Sequence, residues 1–362
     1  MDPRALRALR CPHRARPNLL PGPSPRDGGG IPYGSSPIIS IPETDPRPAP
    51  SEDLVLLVIL GPTGTGKSAL ALDLAGRLSG EIVGCDALQV YRGFDVATAK
   101  PSEEERRRIV HHGVDVADPS TDWSVADHVR MADEAIAAIA ARRRVPLVVG
   151  GTGMYLRGLL RGLVPAPERS PLLRERLRRL AARHGVARLH RWLASIDPPS
   201  AARLSPRDGQ RILRALEVAL ESGSTWSDII EREGTWAGSS ERYRSLKIGL
   251  DMDRALLGQR LDARVDAYFD AGLVAEVRLL LAQGVPPTAN AFKAIGYREV
   301  LAALSAGADA QAVRPEVKRS TRRLAKRQRT WFRKEPDVRW LDAAAEPARL
   351  AEQIQALWQR VR

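Results

Sequence analysis

The 362-residue chain has only two cysteines, Cys11 and Cys85, and aromatic residues make up just 5% of it. Two thiols cannot build a disulfide framework or a cysteine-rich zinc site, so they read as reduced cysteines and the cytoplasm is the expected compartment. Long apolar runs are also missing. The longest, Leu54 to Leu60, falls far short of the roughly 20 residues a bilayer-spanning helix needs, and no membrane association is expected. Acids are in deficit: 43 Asp and Glu face 56 Lys and Arg, a net charge of +13. A field of that sign attracts polyanions, nucleic acid being the commonest. With 43% hydrophobic residues there is material for one large or two ordinary cores, which excludes wholesale disorder.

Residues 1–50 hold 12 of the 27 prolines and little apolar periodicity. A disordered, mildly basic extension or an over-long gene start is expected there. A targeting peptide fits less well, because proline interrupts any long amphipathic helix. Order is expected to begin with Leu54–Leu60, a run that suits a strand buried on both faces of a parallel sheet. Helical spacing follows from Ala69 to Leu78, stopped near Gly80, and further strands are predicted at Glu81–Cys85, Val145–Val149 and Ser245–Leu250. Alternating strands and helices predict an α/β fold with a P-loop NTPase-like parallel sheet, a helical insertion and a basic C-terminal helical region. The expected division is 51–165 for the first part of the core, 166–242 for the insertion, 243–345 for the return to the core with basic helices, and 346–362 for a C-terminal helix or tail. Leu261–Leu281 and Arg314–Phe332 read as helices. Between Gln311 and Lys334, Val313, Val317, Leu324 and Trp331 form the stripe expected to be buried.

The sharpest local signal is Gly61-Pro62-Thr63-Gly64-Thr65-Gly66-Lys67-Ser68, between a strand and a helix. Glycines let backbone N–H groups converge on phosphate oxygens, the helix N-terminus adds positive potential, Lys67 neutralises charge and the Ser68 hydroxyl suits a Mg²⁺ ligand. Nothing in the loop chooses between a nucleotide, a sugar phosphate and a prenyl diphosphate. Asp86, after the second strand, stands at the carboxyl edge where such sheets bind ligands. A general base, a magnesium ligand or a turn aspartate all remain open for it on this reading.

The loop, Asp86-Ala-Leu-Gln-Val-Tyr-Arg-Gly-Phe-Asp95, Thr98-Ala-Lys-Pro101 and Gly150-Gly-Thr-Gly-Met-Tyr155 together resemble the tRNA dimethylallyltransferases, bacterial enzymes that prenylate an anticodon-loop adenosine. Asp208–Val218, Ala294–Arg298 and Thr321–Trp331 continue the resemblance, which runs from about Leu54 to Trp340. Ala87 and Ala97 depart from it, standing where the family usually has serine and glycine. The resemblance implies transfer of a dimethylallyl group from dimethylallyl diphosphate to N6 of adenosine 37, with Asp86 as base and Lys67, Thr98 and Arg264 at the diphosphate. It implies tRNA contacts at Asp86, Ala87, Leu88 and Gln89, at Thr152 and Arg174, at Gln210, Arg211, Ile212, Leu213 and Arg214, and at Lys293, Ala294, Ile295, Gly296, Tyr297 and Arg298. Mg²⁺ is the expected cofactor and a monomer the expected state. Phe292 and Tyr297 read equally well as core aromatics.

Between Gln311 and Lys334 ten Lys and Arg face one acid, a concentration that suits an RNA backbone. The alternatives, a P-loop kinase of a small metabolite, an adenylate isopentenyltransferase and a nucleic-acid-binding ATPase with no transferase step, either leave that segment without a task or miss the ordered motifs.

Overall fold

The structure, a computed structural model, describes residues 54–164, 166–234 and 241–362; the extension expected over 1–50 lies outside them. Chain order is β1 (Val55–Leu60), α1 (Lys67–Arg77), β2 (Gly80–Cys85), α2 (Glu103–Arg108), β3 (His111–His112), α3 (Val125–Ala141), β4 (Val145–Gly150), α4 (Gly153–Arg161), α5 (Pro171–His184), α6 (Val186–Ile196), α7 (Pro198–Arg203), α8 (Gly209–Ser222), α9 (Trp226–Glu233), β5 (Arg244–Asp251), α10 (Arg254–Asp270), α11 (Leu273–Ala282), α12 (Tyr297–Ser305), α13 (Arg314–Phe332), β6 (Val338–Asp342) and α14 (Pro347–Gln359).

All strand pairings are parallel, in the order β3-β2-β4-β1-β5-β6. Because strand side chains alternate, Leu57 and Ile59 enter one core with α1 and α14, while Leu56, Val58 and Leu60 enter a second with α3 and α4. That is the two-sided burial expected of β1. The register sets Leu60 and Cys85 both beside Gly150, and Leu60 beside Gly249. Three strand ends therefore share one edge, and the loops leaving β1, β2 and β4 run side by side. A third core surrounds Phe94, Phe292 and Tyr297.

Contacts divide the described residues into two units, the second holding Val164 to Gly234. It is all helical, with its own core around Leu177, Leu193, Ile212 and Leu216. Proline opens α5 and α7, and Gly223, at φ 68°, ends α8. No described helix is long and apolar enough to cross a membrane.

Three local expectations need correction. The helix read over Leu261–Leu281 is two helices, broken where Gly272 turns left-handed at φ 94°, a conformation glycine adopts without penalty. The residue that turns the chain out of α1 is Ser79, at φ 51°, while Gly80 already belongs to β2, paired with Val145, and a Cβ there would lie 2.3 Å from Leu147 Cδ1. Along α13 the buried line is Val317, Ser320, Thr321, Ala325 and Phe332, rotated from the predicted stripe. Small hydroxyl residues fill it because Thr321 Oγ1 can donate back to Val317 O at 2.8 Å, which satisfies the buried hydroxyl.

Candidate active site

The glycine-rich loop leaves β1 with Gly61 pressed on the neighbouring strand; a Cβ there would lie 2.3 Å from Leu250 O. Gly64 and Gly66 have φ of 87° and 83°, so the loop wraps back over the first turn of α1. Pro62 O accepts from both Thr65 Oγ1 (2.9 Å) and Lys67 Nζ (2.6 Å), which closes the loop on itself. Burial, with the nearby Arg264 guanidinium, pulls the Lys67 ammonium down to about 7, and the Asp86 carboxylate opposes them. Lys67, Arg264 and Asp86 thus share one electrostatic neighbourhood, although Asp86 lies 19 residues and Arg264 197 residues beyond Lys67 along the chain. Ser68 is exposed at the start of α1.

Asp86 follows β2 directly. Its Oδ1 accepts from Leu88 N–H at 2.8 Å and Gln89 N–H at 3.3 Å, a turn that fixes the carboxylate and engages one oxygen. Thr152, after β4, donates its N–H to Cys85 O at 3.2 Å, and its Oγ1 accepts from Ala87 N–H at 3.3 Å. Gln89 donates from Nε2 to Thr98 O and Ala99 O, each at 3.1 Å, tying the Thr98 segment to the Asp86 turn. Thr98 Oγ1 donates to Phe94 O at 2.5 Å. Buried Lys100 pairs with Asp95 at 2.6 Å and with Asp115 at 2.5 Å, anchoring the same segment. Ala97 fits because residue 296 is glycine: a Cβ on Gly296 would lie only 3.1 Å from that of Ala97. On α10, Arg264 donates to the Tyr268 hydroxyl and lies 5.6 Å from its ring centre.

The sites expected to contact RNA separate by exposure. Lys293, Arg298, Gln210 and Arg211 are exposed, Leu88, Gln89, Leu213 and Ile295 are half-buried, and Gly296 is buried. Three of these residues have buried side chains: Ile212 in the core of the helical unit, and Ala294 and Tyr297 in the third core. The Tyr297 hydroxyl donates to Glu276 and accepts from Ala97 N–H, so it is a core aromatic with satisfied polar atoms. Arg174 and Arg214 flank the buried Glu217, at 2.7 and 3.6 Å, which neutralises charge expected to face outward.

The basic helix α13 divides its charge. Asp262, Asp266 and Asp270 on α10 meet Arg322, Lys318 and Arg314 in antiparallel order, and Arg329 and Arg333 meet Asp251. Arg319, Arg323, Lys326 and Arg327 are exposed; from Arg319 the others lie four, seven and eight residues on, the spacing of one helix face. Its C-terminal turns dock beside the site. Gln328 Oε1 accepts from Thr63 N–H at 2.9 Å while its Nε2 donates to Gly151 O at 2.9 Å. Arg157 covers Trp331 at 4.8 Å from its ring centre and pairs with buried Glu335 at 2.8 Å. Sequence reasoning did not single out Gln328; the one signal was a neutral amide amid Lys326, Arg327 and Arg329.

Comparison with known proteins follows the same outline. A family model described as IPP transferase matches residues 89–335, and one described as Isopentenyl transferase matches residues 54–112. The tRNA dimethylallyltransferase of Geobacter metallireducens is 46% identical over 287 residues, covering 79% of this chain and 92% of that protein. That of Mycobacterium tuberculosis is 45% identical over 316 residues, 84% of this chain and 99% of its own. Among solved structures, the full-length tRNA isopentenylpyrophosphate transferase from Bacillus halodurans superposes with a TM-score of 0.60 at 35% identity, over 84% of this chain and 95% of that one. A eukaryotic dimethylallyltransferase acting on tRNA gives a TM-score of 0.68 at 28% identity, over 80% and 74%. A family model spanning Gln89 to Glu335, and relatives matched over most of their length, carry the assignment: the chain belongs to the IPP transferase family, that of the tRNA dimethylallyltransferases.

Proposed function

We propose that this protein transfers a dimethylallyl group from dimethylallyl diphosphate to N6 of adenosine 37 in the anticodon loop of tRNA, releasing diphosphate, as a cytoplasmic monomer. The observation that carries the reading is the shared neighbourhood of Lys67, Arg264 and Asp86, which sets a cradle for a departing diphosphate beside a carboxylate. N6 attacks C1 of the prenyl group, the C1–O bond breaks, and the electron pair leaves with the diphosphate. Asp86 takes the amine proton on the oxygen that the turn leaves over. Lys67, Arg264 and the loop N–H groups hold the negative charge that develops, the kind of task a preorganised site performs best. Thr98 lines the diphosphate side, and Gly61 to Ser68 wrap the phosphates. Ser68, exposed at the helix start, would be the residue to hold Mg²⁺, which would supply neutralisation of phosphate charge.

The tRNA is read at two levels. Arg319, Arg323, Lys326 and Arg327 meet phosphates, which position without specifying. Gln89, Thr152, Gln210, Arg211, Lys293 and Arg298 contact the splayed anticodon loop, whose target base must leave its stack before chemistry can reach it. The test incubates the protein with radiolabelled dimethylallyl diphosphate, Mg²⁺ and unmodified tRNA. Label in tRNA supports the reading. Label only in free AMP, or none while ATP is consumed, refutes it in favour of an adenylate isopentenyltransferase or a kinase.

A further inference from the structure

One neutral side chain joins the basic helix to both halves of the candidate site. Gln328 accepts the Thr63 N–H of the phosphate loop and donates to the Gly151 carbonyl, each at 2.9 Å. A planar amide offers an acceptor and a donor on one end; leucine offers neither and an ionised glutamate only acceptors. The turn after β4 is shaped to admit it. A Cβ on Gly151 would lie 2.4 Å from Gln328 Nε2, and one on Gly153 2.1 Å from Trp331 Nε1. The two ends of the bridge lead to different partners in the reaction. Thr63 belongs to the loop that wraps the diphosphate, whereas Gly151 precedes Thr152, whose hydroxyl accepts from Ala87 N–H beside Asp86.

We propose that Gln328 is a positioning residue for prenyl transfer, fixing the spacing between the diphosphate loop and the Asp86 turn. The inference rests on the transfer reaction proposed above. Gln328 touches no reacting atom and acts through Thr63 and Gly151. Because its two bonds cross from β1 to β4, losing them lets the leaving group and the base drift apart while each keeps its own local hydrogen bonds.

The test compares wild type, Gln328→Leu, Gln328→Glu and Gly151→Ala for kcat and both KM values across mildly acidic to neutral pH. Gln328→Leu is expected to lower kcat roughly 10²-fold, the effect of misplacement by about 1 Å, with both KM values changed far less. Gly151→Ala displaces the amide end sterically, so it should reproduce that loss and add little to it in the double variant. Gln328→Glu supplies the decisive readout. Ionised, its carboxylate faces the Gly151 carbonyl without a proton; protonated, it carries an acceptor and a donor as the amide does. Its kcat relative to wild type at the same pH should therefore climb as pH falls, whereas a residue that merely supported the fold would give a flat ratio. A flat ratio, or Gln328→Leu with wild-type kcat, overturns the proposal. Should Gln328→Leu fail to fold, the Gln328→Glu ratio decides alone. Wild-type transfer into tRNA is measured in the same series: its absence sinks the transfer reading itself, while wild-type transfer with a flat ratio sinks only the positioning role.

Discussion

The division of charge on α13 predicts two charge-removal variants with opposite outcomes. Replacing Arg319, Arg323, Lys326 and Arg327 by glutamine removes exposed cations that have no acidic partner among the described residues. Replacing Arg314, Lys318 and Arg322 removes cations already opposed by Asp270, Asp266 and Asp262. Each phosphate contact contributes about 0.7 to 0.9 to the slope of log affinity against log salt, so four contacts account for a slope near 3. Between about 50 and 200 mM salt, a fourfold change, wild type should lose roughly 4³, or about 60-fold, more tRNA affinity than the first variant does. The second variant should keep the wild-type slope, because those cations release no counterions on binding. Its loss is one of stability, about 0 to 1 kcal/mol for each exposed pair. Filter binding of unmodified tRNA over a salt series measures both slopes. A wild-type slope in the four-site variant, or an equally flattened slope in the three-site variant, would refute the division and move the RNA face elsewhere.

Three further perturbations test the site and its frame. Asp86→Asn should lower kcat by about 10² to 10⁴-fold, the contribution of a positioned base, while the Kd for dimethylallyl diphosphate holds; equal losses in both would remove Asp86 from proton transfer. His128 is fully buried, stacks on Tyr155 at 4.3 Å between ring centres, and burial lowers its pKa to about 4. Protonation favours the unfolded chain, so stability falls as pH drops from about 6.5 toward 4, by up to about 3 kcal/mol, and His128→Phe should lack that share of the slope in urea titrations. Gly153→Ala adds a Cβ 2.1 Å from the Trp331 indole nitrogen. Overpacking of that kind costs about 1 to 3 kcal/mol, and an unchanged urea midpoint would mean that α13 does not lie as close to α4 as described.

The sheet was legible because its signals are local. Leu54–Leu60, apolar throughout, could be buried only on both faces, and the glycines with Lys67 and Ser68 have a meaning that needs no other part of the chain. Asp86 was legible by position, since a carboxylate at the end of a parallel strand beside a phosphate loop stands at the ligand edge. The aromatic at 297 was not. Its sequence neighbours Lys293 and Arg298 are exposed, whereas Tyr297 is drawn inward by Phe94 at 4.8 Å and by Glu276, partners far away in sequence. The division of charge along Gln311–Lys334 was not legible for a related reason. Counting charges along one helix overlooks the acids that face it, although Asp262, Asp266 and Asp270 stand four apart, the spacing that puts all three on one face.

The Gly150-Gly151-Thr152-Gly153 turn shows what single-chain reading loses most readily. As sequence it is a small-residue loop after a strand, and its glycines could serve flexibility alone. In the fold, its three glycines answer to three separate neighbours. A Cβ would lie 2.0 Å from Cys85 O at Gly150, 2.4 Å from Gln328 Nε2 at Gly151 and 2.1 Å from Trp331 Nε1 at Gly153. None of the three has a positive φ, so conformational freedom is not the reason for glycine there. Close approach is, and it brings the exit of β2, with Asp86, and the end of α13 against one short turn. A helix that presents exposed cations on one face is thereby fastened, through Gln328, to the glycine-rich loop. On the proposed function, substitutions at these glycines should perturb turnover and stability together while leaving the affinity for tRNA phosphates to the exposed cations.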